Sequence, residues 1–213
     1  MNIQTLKYII SFVVLTFFCS AQDIQTISLP LPQTDIGKPL MQALKLRQSS
    51  RSFYTKALPR QEISNILWAA DGVNRAENGK RTAPSAMNWQ EVEIYVMLAE
   101  GTYRYDAKKH SLELAAAEDL RSATGGQTFV KDAPMNLIYV ADYAKTSGAN
   151  EEDKKFYSAA DVGFIAENVY LYCASQGLGC VVRGMVDRKS LAGILKLRAD
   201  QKVMLAQTVG YVK

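Results

Sequence analysis

The sequence predicts an α+β fold organised as one domain. Stretches with helical spacing and stretches with strand alternation are interspersed along the chain, and no regular βαβ repeat organises them. The 213 residues are enough to bury one sizeable core. A hydrophobic fraction of 48% with 22% charged residues is ordinary for a folded protein. The formal net charge is only +4, and basic residues alternate with acidic ones without a Lys/Arg run, so no nucleic-acid footprint is expected.

At the N-terminus, Lys7 precedes an uncharged stretch over residues 8–22 that ends in the small residues Cys19-Ser20-Ala21. This layout predicts a signal peptide over 1–21, cleaved after Ala21, and hence an exported protein, periplasmic or secreted. The stretch falls short of the about 20 apolar residues that span a bilayer. A lipoprotein anchored through Cys19 is the rival reading, and the bulky Phe17 and Phe18 count against it. After cleavage Cys173 and Cys180 remain. An oxidising compartment permits a bridge, but one cysteine falls in an expected helix and the other in the next strand, so buried free thiols are expected. Two cysteines and the single His110 are too few for a Cys/His zinc site, and no metal is expected. His110, between Lys109 and Ser111 in a polar stretch, is expected to have no role.

Residues 22–37, with Pro30 and Pro32, read as an extended N-terminal arm ahead of a single domain over 38–213. A helix is expected over 38–47, opened by Pro39, with Leu40, Ala43, Leu44 and Leu46 on an apolar face. A second helix over 59–70 turns Ile63, Ile66, Leu67 and Ala70 inward and stops at Gly72. Residues 74–83 are polar and contain glycine, hence a loop, and Pro84-Ser85 opens a short helix through Gln90. Val92, Ile94, Val96 and Leu98 alternate along a strand over 91–98, with a return strand near 103–106. A helix is expected over 115–123, ended by Gly125-Gly126, and a buried strand over 137–141. The strongest helical pattern is 158–176, where Val162, Ile165, Ala166, Val169 and Cys173 share a face and Gly177 is the stop. A strand over 180–186, a helix capped by Asp187 and a last strand over 203–212 complete the chain.

Several chemistries are excluded. No G-x-G-x-x-G follows a strand and no G-x-x-x-x-G-K-[ST] loop occurs. One histidine and no G-x-S-x-G elbow argue against a serine hydrolase. What remains is a set of anion-binding and close-approach features. Arg47-Gln48-Ser49-Ser50-Arg51 places forked donors and hydroxyls where they could surround a phosphate, or line a solvated helix end. Pro84-Ser85-Ala86-Met87-Asn88 offers a hydroxyl, N–H groups and an amide for a ligand, or a plain helix cap. Gly177 to Gly184 brackets an apolar strand with glycines, which let a ligand or another backbone approach, or simply stop a helix and form a bulge.

Taken in order, these segments resemble the FMN-dependent nitroreductase family over about residues 40–213. The carriers are 47–53, Leu67-Trp68-Ala69-Ala70-Asp71-Gly72-Val73-Asn74-Arg75, Arg81-Thr82-Ala83-Pro84-Ser85, Asp132-Ala133-Pro134, 161–168, 177–184 and Val209-Gly210-Tyr211. Within the family the chain looks most like small members related to azoline-oxidising dehydrogenases. The resemblance implies a nitroreductase-like fold, a central mostly antiparallel sheet flanked by helices. It also implies a homodimer in which both subunits contact each FMN, with residues 162–173 in the helix that packs across the interface. Carried over, it assigns Arg47, Ser49 and Arg51 to the FMN phosphate and ribityl chain, with Gln48 where the family often has a basic residue. Pro84, Ser85 and Asn88 match flavin-touching positions. Arg183 and Gly184 match the pair whose backbone N–H groups point at flavin N5 and O4, and Lys213 falls near a late basic phosphate contact. The implied activity is flavin-centred, with no side chain required as acid or base: a reduced donor, NAD(P)H in the family, reduces FMN and a small organic acceptor reoxidises it. The alternative is an exported flavin- or small-ligand-binding protein without redox turnover.

Overall fold

A computed structural model describes residues 25–213, so the expected signal peptide lies outside the described residues. Seven strands form one sheet in the order β1-β6-β5-β4-β7-β9-β8. They are β1 (Thr26–Ser28), β4 (Val92–Leu98), β5 (Gly101–Asp106), β6 (Ser111–Ala116), β7 (Met135–Asp142), β8 (Gly179–Arg183) and β9 (Gln201–Gly210), with β2 (Val73–Arg75) and β3 (Lys80–Arg81) in a separate hairpin. Every neighbouring pair of strands in the sheet is antiparallel. The helices are α1 (Leu40–Leu46), α2 (Arg60–Asp71), α3 (Phe129–Asp132), α4 (Glu151–Gln176) and α5 (Arg188–Ile194).

The two-residue period of the central strands sorts side chains between the faces. Ile94, Val96, Leu137 and Tyr139 join the core under α2 and α4, formed with Ile66, Leu67, Val162, Ile165 and Val169. Tyr95, Met97, Ile138 and Val140 point the other way, onto Leu191 and Leu195 of and beside α5. Burying a leucine or isoleucine of this kind contributes about 1.5–3 kcal/mol. The inward face expected for α2 is buried in full, as is that of α4. α4 has 26 residues, about 39 Å of helix, and begins earlier than its apolar pattern because Asn150 accepts the Asp153 N–H as N-cap. Gly177 ends it in the left-handed region, at φ 74°.

Four expectations are corrected. Residues 111–116 form strand β6, paired with β5 and β1, where a helix was expected to begin at 115. Only a 3-10 turn over Arg121–Thr124 remains of that helix. The Leu-Glu-Leu-Ala-Ala-Ala run has helical propensity, but the sheet offers it two hydrogen-bonded neighbours, and pairing overrides propensity. The polar loop at 74–83 contains the β2–β3 hairpin. The short helix after Pro84 is a single 3-10 turn in which Met87 and Asn88 adopt φ 50° and 56°, followed by Gln90 at 49°. α1 buries only Ala43, whereas Leu40, Leu44 and Leu46 face outward.

His110 is also a correction, since it is a structural hub. Its Nε2 lies 2.7 Å from Ser64 Oγ and 3.1 Å from the Pro30 carbonyl oxygen, and its Nδ1 lies 2.9 Å from the Tyr105 hydroxyl. The Ser64 hydroxyl donates to the same Pro30 carbonyl at 2.6 Å, so the arm is held to α2 and the β5–β6 turn. Burial pushes the imidazole below its ordinary range, against the pull of the Pro30 carbonyl. The folded state therefore favours the neutral ring. Its contribution is present above the unfolded value near 6.5 and is lost as pH falls through the lower folded value. His110→Asn should cost about 1 kcal/mol at pH 7.5, and the deficit should shrink by pH 5. Urea midpoints of both proteins at the two pH values measure this.

Candidate functional site

The sequence-predicted residues fall into two groups, both fastened to α4. In the first, the chain leaves α1 at Arg47 and runs along the outer edge of β8. Ser49 forms a parallel bridge with Cys180, and the Ser50 N–H donates to the Cys180 carbonyl at 3.0 Å. Gly179 permits this approach, because a Cβ there would stand 2.7 Å from the Ser50 Cβ. Phe53 then bridges Val212, and the Lys213 N–H donates to the Ser52 carbonyl at 3.2 Å, which brings the last residue to the same segment.

Tyr170 of α4 is the fastening point. Its hydroxyl accepts the Val182 N–H at 2.9 Å and lies 2.9 Å from Ser49 Oγ, and the Arg47 guanidinium sits 5.2 Å above its ring. Gln48 and Ser50 line, with Tyr170, a cavity of about 240 Å³ bordered by the free thiols Cys173 and Cys180. Tyr170→Phe would leave a backbone N–H without its acceptor, at a cost of about 1–2 kcal/mol in urea unfolding.

The Arg183 side chain is engaged within the fold. Its guanidinium is buried and donates to the Thr124 carbonyl and hydroxyl, to Asn136 Oδ1 and to the Thr208 hydroxyl. Among the described residues no carboxylate pairs with it, and burial lowers its pKa to about 10. This clamp fixes the end of β8, so that Gly184 emerges exposed immediately after it.

The second group is Pro84, Ser85 and Asn88. The Ala86 N–H donates to Asp161 Oδ2 of α4 at 2.8 Å, and the Ser85 hydroxyl donates to Glu91 at 3.3 Å while accepting the Gln90 N–H at 2.9 Å. Asp161 lies nine residues before Tyr170, about 13 Å along the helix. The three left-handed residues nearby each cost about 1–2 kcal/mol in an L-residue, and such conformations gather at functional sites. Burial raises Asp161, with the Ala86 N–H pulling the other way. Burial likewise pushes Asp71 up to about 7 despite the short ion pair it makes with Arg81.

Several large apolar side chains on α1, α4 and the 3-10 turn are exposed. Leu40 (61% exposed), Met41 (75%), Met87 (83%), Phe156 (66%) and Phe164 (48%) show large side chains outward.

Comparison with known proteins decides the class. The family model described as the nitroreductase family matches residues 44–211. The chain belongs to the nitroreductase family. This family consists of oxidoreductases that are typically flavin-dependent. A protein of Methanocaldococcus jannaschii with a provisional nitroreductase name is 34% identical over 183 residues, which cover 81% of this nitroreductase-family chain and 91% of that protein. A crystal structure from Ralstonia eutropha, also provisionally named a nitroreductase, is 46% identical with a TM-score of 0.84, covering 88% of this chain and 90% of that one. The NADPH:FMN oxidoreductase of Vibrio harveyi shares the fold at 20% identity and a TM-score of 0.62, over 82% of this chain and 69% of its own.

Sequence reasoning missed Tyr170, Asp161 and the Arg81–Asp71 pair. Tyr170 carried a weak signal, a hydroxyl-bearing residue one position after the inward Val169. Nothing in the sequence announces the role of Asp161, since an acid within a long helix is ordinary.

Proposed function

We propose that this nitroreductase-family member is an exported, FMN-dependent oxidoreductase and a homodimer. On this reading each flavin lies between two protomers, and the chain sits among the small members related to azoline-oxidising dehydrogenases. The observation that carries the reading is the meeting of the 47–53 segment with the end of β8 around Tyr170, while the Pro84–Ser85–Asn88 group stands about 13 Å away along the same helix. The separation supports a site assembled from one group of each protomer, and the outward apolar residues of α1 and α4 supply a surface for pairing.

The residues fit a flavin phosphate. Among the described residues, Arg47 and Arg51 have no carboxylate partner, and Arg47 shares Tyr170 with the Ser49 hydroxyl. Forked guanidiniums suit a phosphate. Bound FMN supplies hydride or electron exchange between a reduced donor, NAD(P)H by family habit, and a small organic acceptor. The protein's own part is to hold the phosphate through Arg47 and Arg51. The backbone at Arg183 and Gly184, kept in place by the buried guanidinium, would lie against the ring, and Ser85 and Asn88 of the other protomer would bound it. No side chain of the site is asked to move a proton.

The test is the visible spectrum of purified mature protein, followed by mass identification of any released chromophore and sedimentation of the yellow species. FMN in a dimer, reduced by a nicotinamide donor and reoxidised by a quinone or nitroaromatic, is the expected outcome. A protein that stays colourless after refolding with FMN overturns the proposal. Bound FMN that no donor reduces would leave only the binding role.

A further inference from the structure

The β2–β3 hairpin and the Pro84–Gln90 turn enclose a cavity of about 340 Å³ whose wall carries three cations, Arg75, Lys80 and Arg81. The two parts are tied together: the Gln90 amide donates to the Gly79 carbonyl at 3.1 Å, and Arg81 Nε donates to Gln90 Oε1 at 3.2 Å. Among the described residues the one carboxylate on the wall, Asp71, is already engaged by Arg81. Arg75 spends one donor on the Arg81 carbonyl at 2.6 Å and another on Asn74, and no carboxylate pairs with it among the described residues. The Lys80 ammonium likewise has no ion-pair partner there. Ser85 and Asn88 lie on the same wall and add neutral polar atoms. Two uncompensated cations beside a short, ligand-sized cleft form an electrostatic trap for a negatively charged molecule.

We propose that this cavity binds a small carboxylate and makes the protein selective for an anionic substrate. The substrate role rests on the flavin reading of Ser85 and Asn88, which line both sites. The binding itself depends only on the hairpin. Arg75 and Lys80 supply the charge, while Arg81, locked by Asp71 and Gln90, fixes the shape of the wall.

The experiment is calorimetric titration of the mature protein with benzoate and with the uncharged, isosteric benzamide, with the visible spectrum recorded in parallel. Benzoate should bind about tenfold more tightly than benzamide, with a preference that fades as salt is raised. Arg75→Gln combined with Lys80→Gln should weaken benzoate by about tenfold and erase the preference. Lys80→Gln alone, which removes no contact of the fold, should weaken it by about threefold and covers the case in which the double variant misfolds. Equal binding of the two probes, or benzoate binding that survives both substitutions, overturns the proposal. Adenosine 2′,5′-bisphosphate is the third probe. If it displaces benzoate at lower concentration than benzoate itself requires, the cations serve a nucleotide phosphate and the small-carboxylate assignment falls. A colourless protein that still prefers benzoate keeps this site and removes the flavin reading, and a yellow protein without preference does the reverse.

Discussion

Replacing Arg47 and Arg51 together by alanine will leave a folded protein that retains no flavin. The fold has little at stake in either side chain. Arg47 is half-buried and makes one stacking contact with Tyr170, worth about 0.5–1 kcal/mol at such a site, and Arg51 is exposed. Neither enters an ion pair among the described residues, so no buried charge is orphaned by their loss. Toward a phosphate the balance is different. Each charge-assisted contact there contributes about 1.5–3 kcal/mol, so losing two weakens binding by about 10² to 10⁴. Circular dichroism and the urea midpoint check the fold, and the flavin-to-protein ratio with an FMN titration checks the site. A double variant that is folded and still holds one flavin per protomer removes the phosphate assignment.

Arg183→Met will have the largest effect on stability of any single change at this site. The guanidinium is 5% exposed and satisfies acceptors on three separate parts of the chain: Thr124 in a 3-10 turn, Asn136 on β7 and Thr208 on β9. Methionine fills similar volume but donates nothing, so several buried acceptors lose their partners at about 1–3 kcal/mol each. Because Thr208 also donates to Asn136 at 2.6 Å, part of the network survives, and a total of about 3–5 kcal/mol is expected. For a domain of this size that is about 10 °C in melting temperature. Arg183→Lys should recover only a fraction, because one ammonium cannot reach all the acceptors that the planar fork spans. Gly125 belongs to the same arrangement, since a Cβ there would run into the guanidinium. A melting temperature unchanged by Arg183→Met would show that the clamp is not what holds the end of β8.

The parts of the fold legible in the sequence are those whose pattern is local. The inward faces of α2 and α4 follow from the helical period of Ile63, Ile66 and Leu67, and of Val162, Ile165 and Val169, and all six are buried. β6 was not legible, because what makes it a strand is its pairing with Tyr103 and Tyr105 of β5 rather than anything within its own six residues. α1 shows the limit of periodicity in another way. Leu40, Leu44 and Leu46 mark an apolar face, but periodicity does not say whether its complement lies in the same chain. At the candidate site, Arg47, Ser49 and Gly184 stood out as arginine forks, a hydroxyl and a glycine at close spacing, and it was the family resemblance that assigned them to a flavin. Tyr170 and His110 were not, because each acts by joining segments remote in sequence: 47–49 with 182 in one case, and 30, 64 and 105 in the other.

The run through Ser49 and Ser50 does more than present arginines. It is also the rail that covers the outer margin of β8, the last strand of the sheet. Uncovered strand margins are templates on which other chains add. The rail holds that margin through its own backbone contacts, the Ser49–Cys180 bridge and the Ser50 N–H to the Cys180 carbonyl, so the margin is closed to other chains there. A change that unseated Ser49 and Ser50 would expose this margin and favour edge-to-edge polymerisation.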